Sequence, residues 1–402
     1  MSDREWRERA ERVVAAGAST GSKRPATMFG GEHHDAPSHF VRALGCRVVT
    51  VDGATLIDCT MALGAVALGY ADDEVVRRVW RVAANGSVAG LNHILEVEIA
   101  ERLCAVVPCG ERALFTKSGA EGVAAAVRLA RTYTGRDVVV GSGYFGWLDW
   151  CSDSAGVPDG VKRDFVAVPW GDSGALGAAV AAAGDRLAAI VVEPVVEREP
   201  PDGWLAHARA LADRARAVLV FDEIKTGFRL HPGGYQAIAG VTPDVAVFGK
   251  ALANGFPLAA VVGHADVMEA ARHTWISGTL AGEAVALAAA QAVLDRHERE
   301  DVCPRLRGVG ARMRGAVVDA LDHAGIAGVG VEGLDPMWFI RWSDAARETR
   351  FLAGAREAGV LFKRGAYDYA ALAHDDEEAI SAIGQAAAAG FDAVRRLDTE
   401  GQ

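Results

Sequence analysis

Val218-Leu219-Val220-Phe221-Asp222-Glu223-Ile224-Lys225-Thr226-Gly227-Phe228-Arg229 and, shortly after it, Pro243-Asp244-Val245-Ala246-Val247-Phe248-Gly249-Lys250 decide the fold of this 402-residue chain. Each stretch is an apolar run closed by charged residues. Such a run reads as a strand buried on both faces that delivers a charge to the carboxyl edge of a sheet. One strand end offers a carboxylate, Asp222, and the other an amine, Lys250. Working outward, further apolar runs centre on residues 114–115, 138–140, 166–168, 190–192 and 260–262. Ala-rich helical stretches at 122–133, 176–183 and 205–217 separate most of them. That alternation predicts an α/β fold, a mostly parallel seven-stranded sheet flanked by helices.

The chain exceeds one ordinary core, so the expected organisation has several parts. Residues 1–60 form an N-terminal segment: a charged helix, a polar Gly- and His-rich passage over 21–37, then two strands around an Asp52-Gly53 turn. Residues 61–300 form the large domain, ending in a long helix near 283–296. Residues 301–402 form a C-terminal α+β lobe that builds a smaller domain with the N-terminal segment. The net charge of -11 argues against nucleic acid or an anionic membrane as a partner. Six cysteines lie scattered without CxxC spacing, as expected of thiols in a reducing compartment. The first residues are charged and hold no apolar signal core, and no apolar run approaches the roughly 20 residues of a membrane span. A cytoplasmic enzyme is the expectation. His33, His34 and His39 have no carboxylate or cysteine at ligand spacing, so no metal is expected.

Lys250 enters a loop with little other charge, where desolvation would favour its neutral, nucleophilic form. Asp222 closes a buried strand, where an unpaired carboxylate is costly. Together they are the pair that pyridoxal 5′-phosphate (PLP) requires, an amine for its aldehyde carbon and an acid for its ring nitrogen. Glu223 points to the opposite strand face. Ser118-Gly119-Ala120 lies between a strand and a helix start, where backbone N–H groups and a hydroxyl make an anion cradle. Tyr144, between Gly143 and the Phe145-Gly146 pair, can lay its ring against a heterocycle.

These pieces resemble the class-III, fold-type I PLP aminotransferases, in particular the branch of glutamate-1-semialdehyde aminomutase. The likeness spans residues 21–391 and is most specific at Asp222–Arg229 and at Phe248-Gly249-Lys250-Ala251. It implies that Lys250 is the Schiff-base lysine, that Asp222 pairs with the pyridine nitrogen, and that Ile224 and Tyr144 cover the two ring faces. It places Ser118, Gly119 and Ala120 on the phosphate loop, and Thr279 at the phosphate of a neighbouring subunit, which implies a homodimer. Glu193 matches a Val-Glu-Pro element near the cofactor. Two departures stand out: Phe145 where histidine is usual, and Glu283 in place of the usual asparagine.

For substrate, the resemblance aligns Arg24 with a carboxylate-gripping arginine. Phe145, Glu193, Lys363 and Arg364 complete the candidate contacts. The implied reaction moves an amino group from an amino-acid donor, such as glutamate, to a carbonyl acceptor. The two departures point toward a sugar, cyclitol or secondary-metabolite carbonyl. An aminomutase, epimerase or racemase of the same fold is the alternative, with a non-catalytic descendant behind it. A nicotinamide dehydrogenase is a third rival, suggested by the α/β alternation alone.

Overall fold

The computed structural model describes residues 1–31 and 36–400, which form two compact units. One runs from Asp73 to Cys303; the other joins Met1–Asp72 to Pro304–Gln402. Residues 61–72 thus lie in the terminal unit.

The middle unit holds the seven-stranded sheet that the apolar runs predict. Its strands are β1 (Arg112–Thr116), β2 (Val138–Ser142), β3 (Phe165–Ala167), β4 (Leu187–Val192), β5 (Val218–Asp222), β6 (Val245–Phe248) and β7 (Ala259–Gly263). Their order across the sheet is β1-β7-β6-β5-β4-β2-β3. Only β7 runs against its neighbours, pairing antiparallel with both β1 and β6. The other ladders are parallel. The carboxyl ends of β1, β2, β4, β5 and β6 therefore share one edge. That edge is where open α/β sheets take their ligands.

Helices explain why the strands carry apolar residues on both faces. The longer helices of this unit are α1 (Asp73–Ala83), α2 (Ile94–Val106), α3 (Gly119–Thr134), α4 (Ser173–Ala183), α5 (Trp204–Ala215) and α6 (Ala284–Arg299). Val123, Ala126, Val127 and Ala130 of α3 pack into one cluster with Val139, Val191, Val220, Val247 and Val261 of the sheet. Gly122 lets the helix come close, since a β-carbon there would stand 2.7 Å from Val247 Cγ1. Helices α4 and α5 lie against β2, β4 and β5.

The terminal unit has a four-stranded sheet from Phe40–Leu44, Arg47–Thr50, Thr55–Asp58 and Val360–Leu361. A three-stranded sheet joins Val329–Leu334, Met337–Trp342 and Asp368–Tyr369. Asp3–Val13, opened by a Ser2–Glu5 capping box, is the charged helix expected at the start. Ala345–Glu357 and Glu377–Glu400 pack through Phe351 and Phe391, whose ring centroids are 4.7 Å apart. No helix of the described residues is long and apolar enough to cross a membrane.

Candidate active site

Five loops or strand ends meet at the shared carboxyl edge. Asp222, the last residue of β5, is buried, and its Oδ1 accepts the N–H of Ile224 at 3.0 Å. Burial first, and the charge of Glu193 second, push its carboxyl up to about 8, with Lys250 and Lys225 acting in the opposite sense. A carboxylate so placed is completed by a cationic donor. Lys250 comes two residues after β6 and opens the 3-10 turn Lys250–Ala253. Desolvation, then the adjacent Lys225, lower its amine below the usual lysine range, against the pull of Asp222 and Glu193. Its φ of +46° lies in the left-handed region, which costs a residue with a β-carbon about 1–2 kcal/mol. Strain of that kind concentrates at functional positions.

Ile224 is the wedge between these elements. A β-carbon at Gly119 would fall 2.5 Å from its Cδ1, and one at Gly249 3.5 Å from its Cγ2. The turn before α3 and the Lys250 loop thus close on the same side chain. Ser118 caps α3 in a reciprocal box: its Oγ accepts from Glu121 N at 3.3 Å, and its own N–H donates to the Glu121 carboxylate at 2.8 Å. The helix starts here because its first N–H groups need a partner and Ser118 supplies one. Tyr144 follows β2; its N–H donates to Glu193 Oε2 at 2.8 Å while its ring is 72% exposed. Gly143 and Gly146, at φ +139° and +99°, let this loop come down: β-carbons there would meet Glu193 Cγ at 2.8 Å and Ala120 Cβ at 2.5 Å.

The aminotransferase class-III family model matches residues 29–146 and 173–372. The chain belongs to the class-III aminotransferases. This aminotransferase is 32% identical over 328 residues to a 3-aminobutyryl-CoA aminotransferase of Cloacimonas acidaminovorans, covering 79% of this chain and 78% of the relative. It is 34% identical over 354 residues to a glutamate-1-semialdehyde 2,1-aminomutase of Symbiobacterium thermophilum, covering 81% and 80%. Among solved structures, a PLP form of the FumI protein of Sphingopyxis sp. MTA144 matches with a TM-score of 0.92 at 26% identity, over 99% of this chain and 97% of that one. The aminotransferase has the fold-type I architecture and takes PLP as its cofactor. Its residues fit that group: a lowered amine, a buried carboxylate lacking a full cationic partner, a hydroxyl-capped helix start, and an apolar wedge between them.

Other candidates stand elsewhere. Phe145 is 4% exposed and turned into the core, its ring 6.1 Å from Trp150 and 6.3 Å from Phe165. It packs against the core of the aminotransferase, where an aromatic ring suits the surroundings better than the usual imidazole would. Glu283 is the N-cap of α6, accepting from Val285 and Ala286, and it also binds Lys117 Nζ at 2.9 Å and Ser87 Oγ at 2.8 Å. Its departure from the family pattern is thus a capping exchange. Thr279 is exposed on a segment flanked by cavities of about 490 and 590 Å³. Glu223, on the opposite strand face, accepts from Tyr235 N, Gln236 N and the Thr226 hydroxyl, and burial raises its carboxyl. Arg229 is fully buried.

In the terminal unit, Arg24 is exposed at the start of the short helix Pro25–Phe29. Lys363 Nζ donates to the Arg364 carbonyl at 2.6 Å, and Arg364 pairs with Glu348 at 3.5 Å. His39 stands beside Asp3 and Ser38; His33 and His34 lie outside the described residues. Among the described residues, no group of three His, Cys, Asp or Glu could hold a metal.

Two features escaped the sequence reading. Lys225 reaches Glu193 Oε1 at 3.0 Å, signalled only by a lysine amid otherwise buried neighbours. Cys151 lies close enough to Asp222 that the carboxylate's charge, after burial, helps push the thiol up to about 11. Because the Tyr144 loop depends on Gly146, Gly146→Ala should cost at least about 1 kcal/mol from the positive φ alone. A lowered thermal midpoint is expected; an unchanged one would show that the loop does not need this close approach.

Proposed function

We propose that this aminotransferase moves an amino group from an amino-acid donor such as glutamate to a carbonyl acceptor, with Lys250 as its reactive amine and Asp222 as the partner of the cofactor's ring nitrogen. The reading rests on one observation above all: a lowered amine and a buried carboxylate stand at one sheet edge, beside a capped helix start. PLP, when bound, supplies an electron sink for the carbon next to the transferred nitrogen. The rest belongs to the chain's residues. Ser118, Gly119 and Ala120 hold the phosphate with the N-terminal N–H groups of α3. Ile224 packs on one ring face, and Tyr144 covers the other. With PLP bound, the Asp222 carboxylate would hold a proton at the ring nitrogen, because a buried carboxylate without a cationic partner is costly.

With PLP bound, Lys250 Nζ would take a proton from the donor's α-carbon and hand it on across the transferred nitrogen. A lowered amine suits this work, since it is neutral for a larger share of the time. Arg24, Lys363 and Arg364 are proposed for substrate carboxylates. Arg364 is the weakest of them, because Glu348 already holds it. Phe145 and Glu283 serve packing and capping, so a sugar or cyclitol acceptor draws no support from either. An aminomutase differs by needing no second substrate, and the 34% identity to such an enzyme keeps that reading in view. The six free cysteines support a reducing, cytoplasmic setting.

A homodimer is also proposed. Leu91 is 86% and Trp275 80% exposed, with Ile94, Val97 and Leu280 exposed near them in sequence. So much open apolar surface on one unit supports an interface, with Thr279 in the same stretch as Trp275 and Leu280. Replacing Trp275 and Leu280 together by Glu should turn a dimer into a monomer in analytical ultracentrifugation; a wild-type monomer would refute the assignment.

Purified protein loaded with PLP is expected to be yellow. Lys250→Ala should lose that absorbance band and at least about 1,000-fold in turnover. Donor alone should shift the spectrum to that of the pyridoxamine form and release a keto acid. A wild-type protein that takes up no colour would contradict the proposal, and a donor-independent turnover would favour the aminomutase.

A further inference from the structure

Glu193 is anchored at every polar atom. Its N–H donates to the Ser142 carbonyl at 3.1 Å and its carbonyl accepts the Trp170 indole N–H at 2.8 Å. In the side chain, Oε2 accepts the Tyr144 N–H at 2.8 Å and Oε1 pairs with Lys225 Nζ at 3.0 Å. The two charged side chains are 12% and 9% exposed. Burying such a pair typically gains nothing over apolar residues of similar volume. Its presence beside Asp222 and Lys250 therefore asks for a role beyond stability. Glu193, with its carboxylate committed in this way, is poorly placed to grip a substrate.

We propose that Glu193 and Lys225 form a buried positioning pair that clamps the Tyr144 loop to the end of β5 and sets the charge that Lys250 meets. The proposal rests on the reading of the site given above. The clamp is geometric: one carboxylate bridges the loop after β2 and the segment after β5. The charge effect follows from the groups around Lys250, which are Asp222 from β5, Glu193 after β4, and Lys225 and Arg229 beyond β5. Tyr144, held by Glu193, and Cys151, near Asp222, come from the loop after β2. Lys225 weighs more on Lys250 than Glu193 does, so the pair's net effect favours the uncharged amine.

The test uses the cofactor-loaded protein and reads the pH midpoint of its visible absorbance change, which follows the proton on the Lys250 nitrogen. Lys225→Met should raise that midpoint by about one pH unit, because it removes a like charge. Glu193→Gln should lower it, and the double variant should lie between the two. Lys225→Arg, which keeps the charge, should stay near the wild type. Shifts of the two single variants in the same direction, or no shift in either, would overturn the proposal. If Lys225→Met does not fold, the double variant and Lys225→Arg carry the test. The double must fold, since it leaves no lone charge, and titrate above Glu193→Gln; failure on either count also overturns it. A wild type that takes up no colour fails the site reading itself, whereas a coloured wild type with unmoved variants fails this inference alone.

Discussion

A carboxylate that cannot reach water governs this site. Asp222 ends a strand whose five residues are all buried, and its side chain accepts the Ile224 N–H, two residues on. Desolvation opposes its charge, and the nearby Glu193 opposes it further. The surrounding cations, Lys250 and Lys225, offset that only in part. Such an arrangement would be a defect in a structural core. It becomes an asset when a protonated heterocycle completes it, since binding then relieves a cost already built into the fold.

Close packing of the loops follows from the same need. Ser118 and Tyr144 come to Asp222 from strands that are not neighbours of β5, whereas Lys250 follows the adjacent β6. They meet because Gly119, Gly143, Gly146 and Gly249 leave room for Ile224, Glu193 and Ala120. Two of those glycines also hold φ values that other residues rarely adopt. Rigid strands carry the charges while glycine-lightened loops close over them, a division of labour that keeps the reacting groups fixed.

Much of this was legible in the sequence. Buried parallel strands have no polar face, so their apolar runs stand out, and all seven were visible. Asp222 and Lys250 were visible for the same reason: a charge at the end of such a run has no ordinary surface role. Glu223 could be separated from Asp222 by strand alternation alone. The partners set by tertiary contact were not visible. Nothing local shows that Phe145 turns inward onto Trp150 while Tyr144 turns outward. Nor does local pattern reveal that Glu283 caps a helix and binds Lys117, or that Lys225 meets a carboxylate 32 positions earlier at the end of β4. Long side chains choose such partners in space, and one sequence carries little trace of the choice.

The central claim is that Lys250 is the amine that bonds the cofactor. Borohydride reduction of the PLP-loaded protein, followed by digestion and peptide mass spectrometry, tests it most directly. The account predicts a single pyridoxyl addition on the peptide containing Lys250. A label on Lys225, Lys117 or another lysine, with Lys250 unmodified, would contradict it.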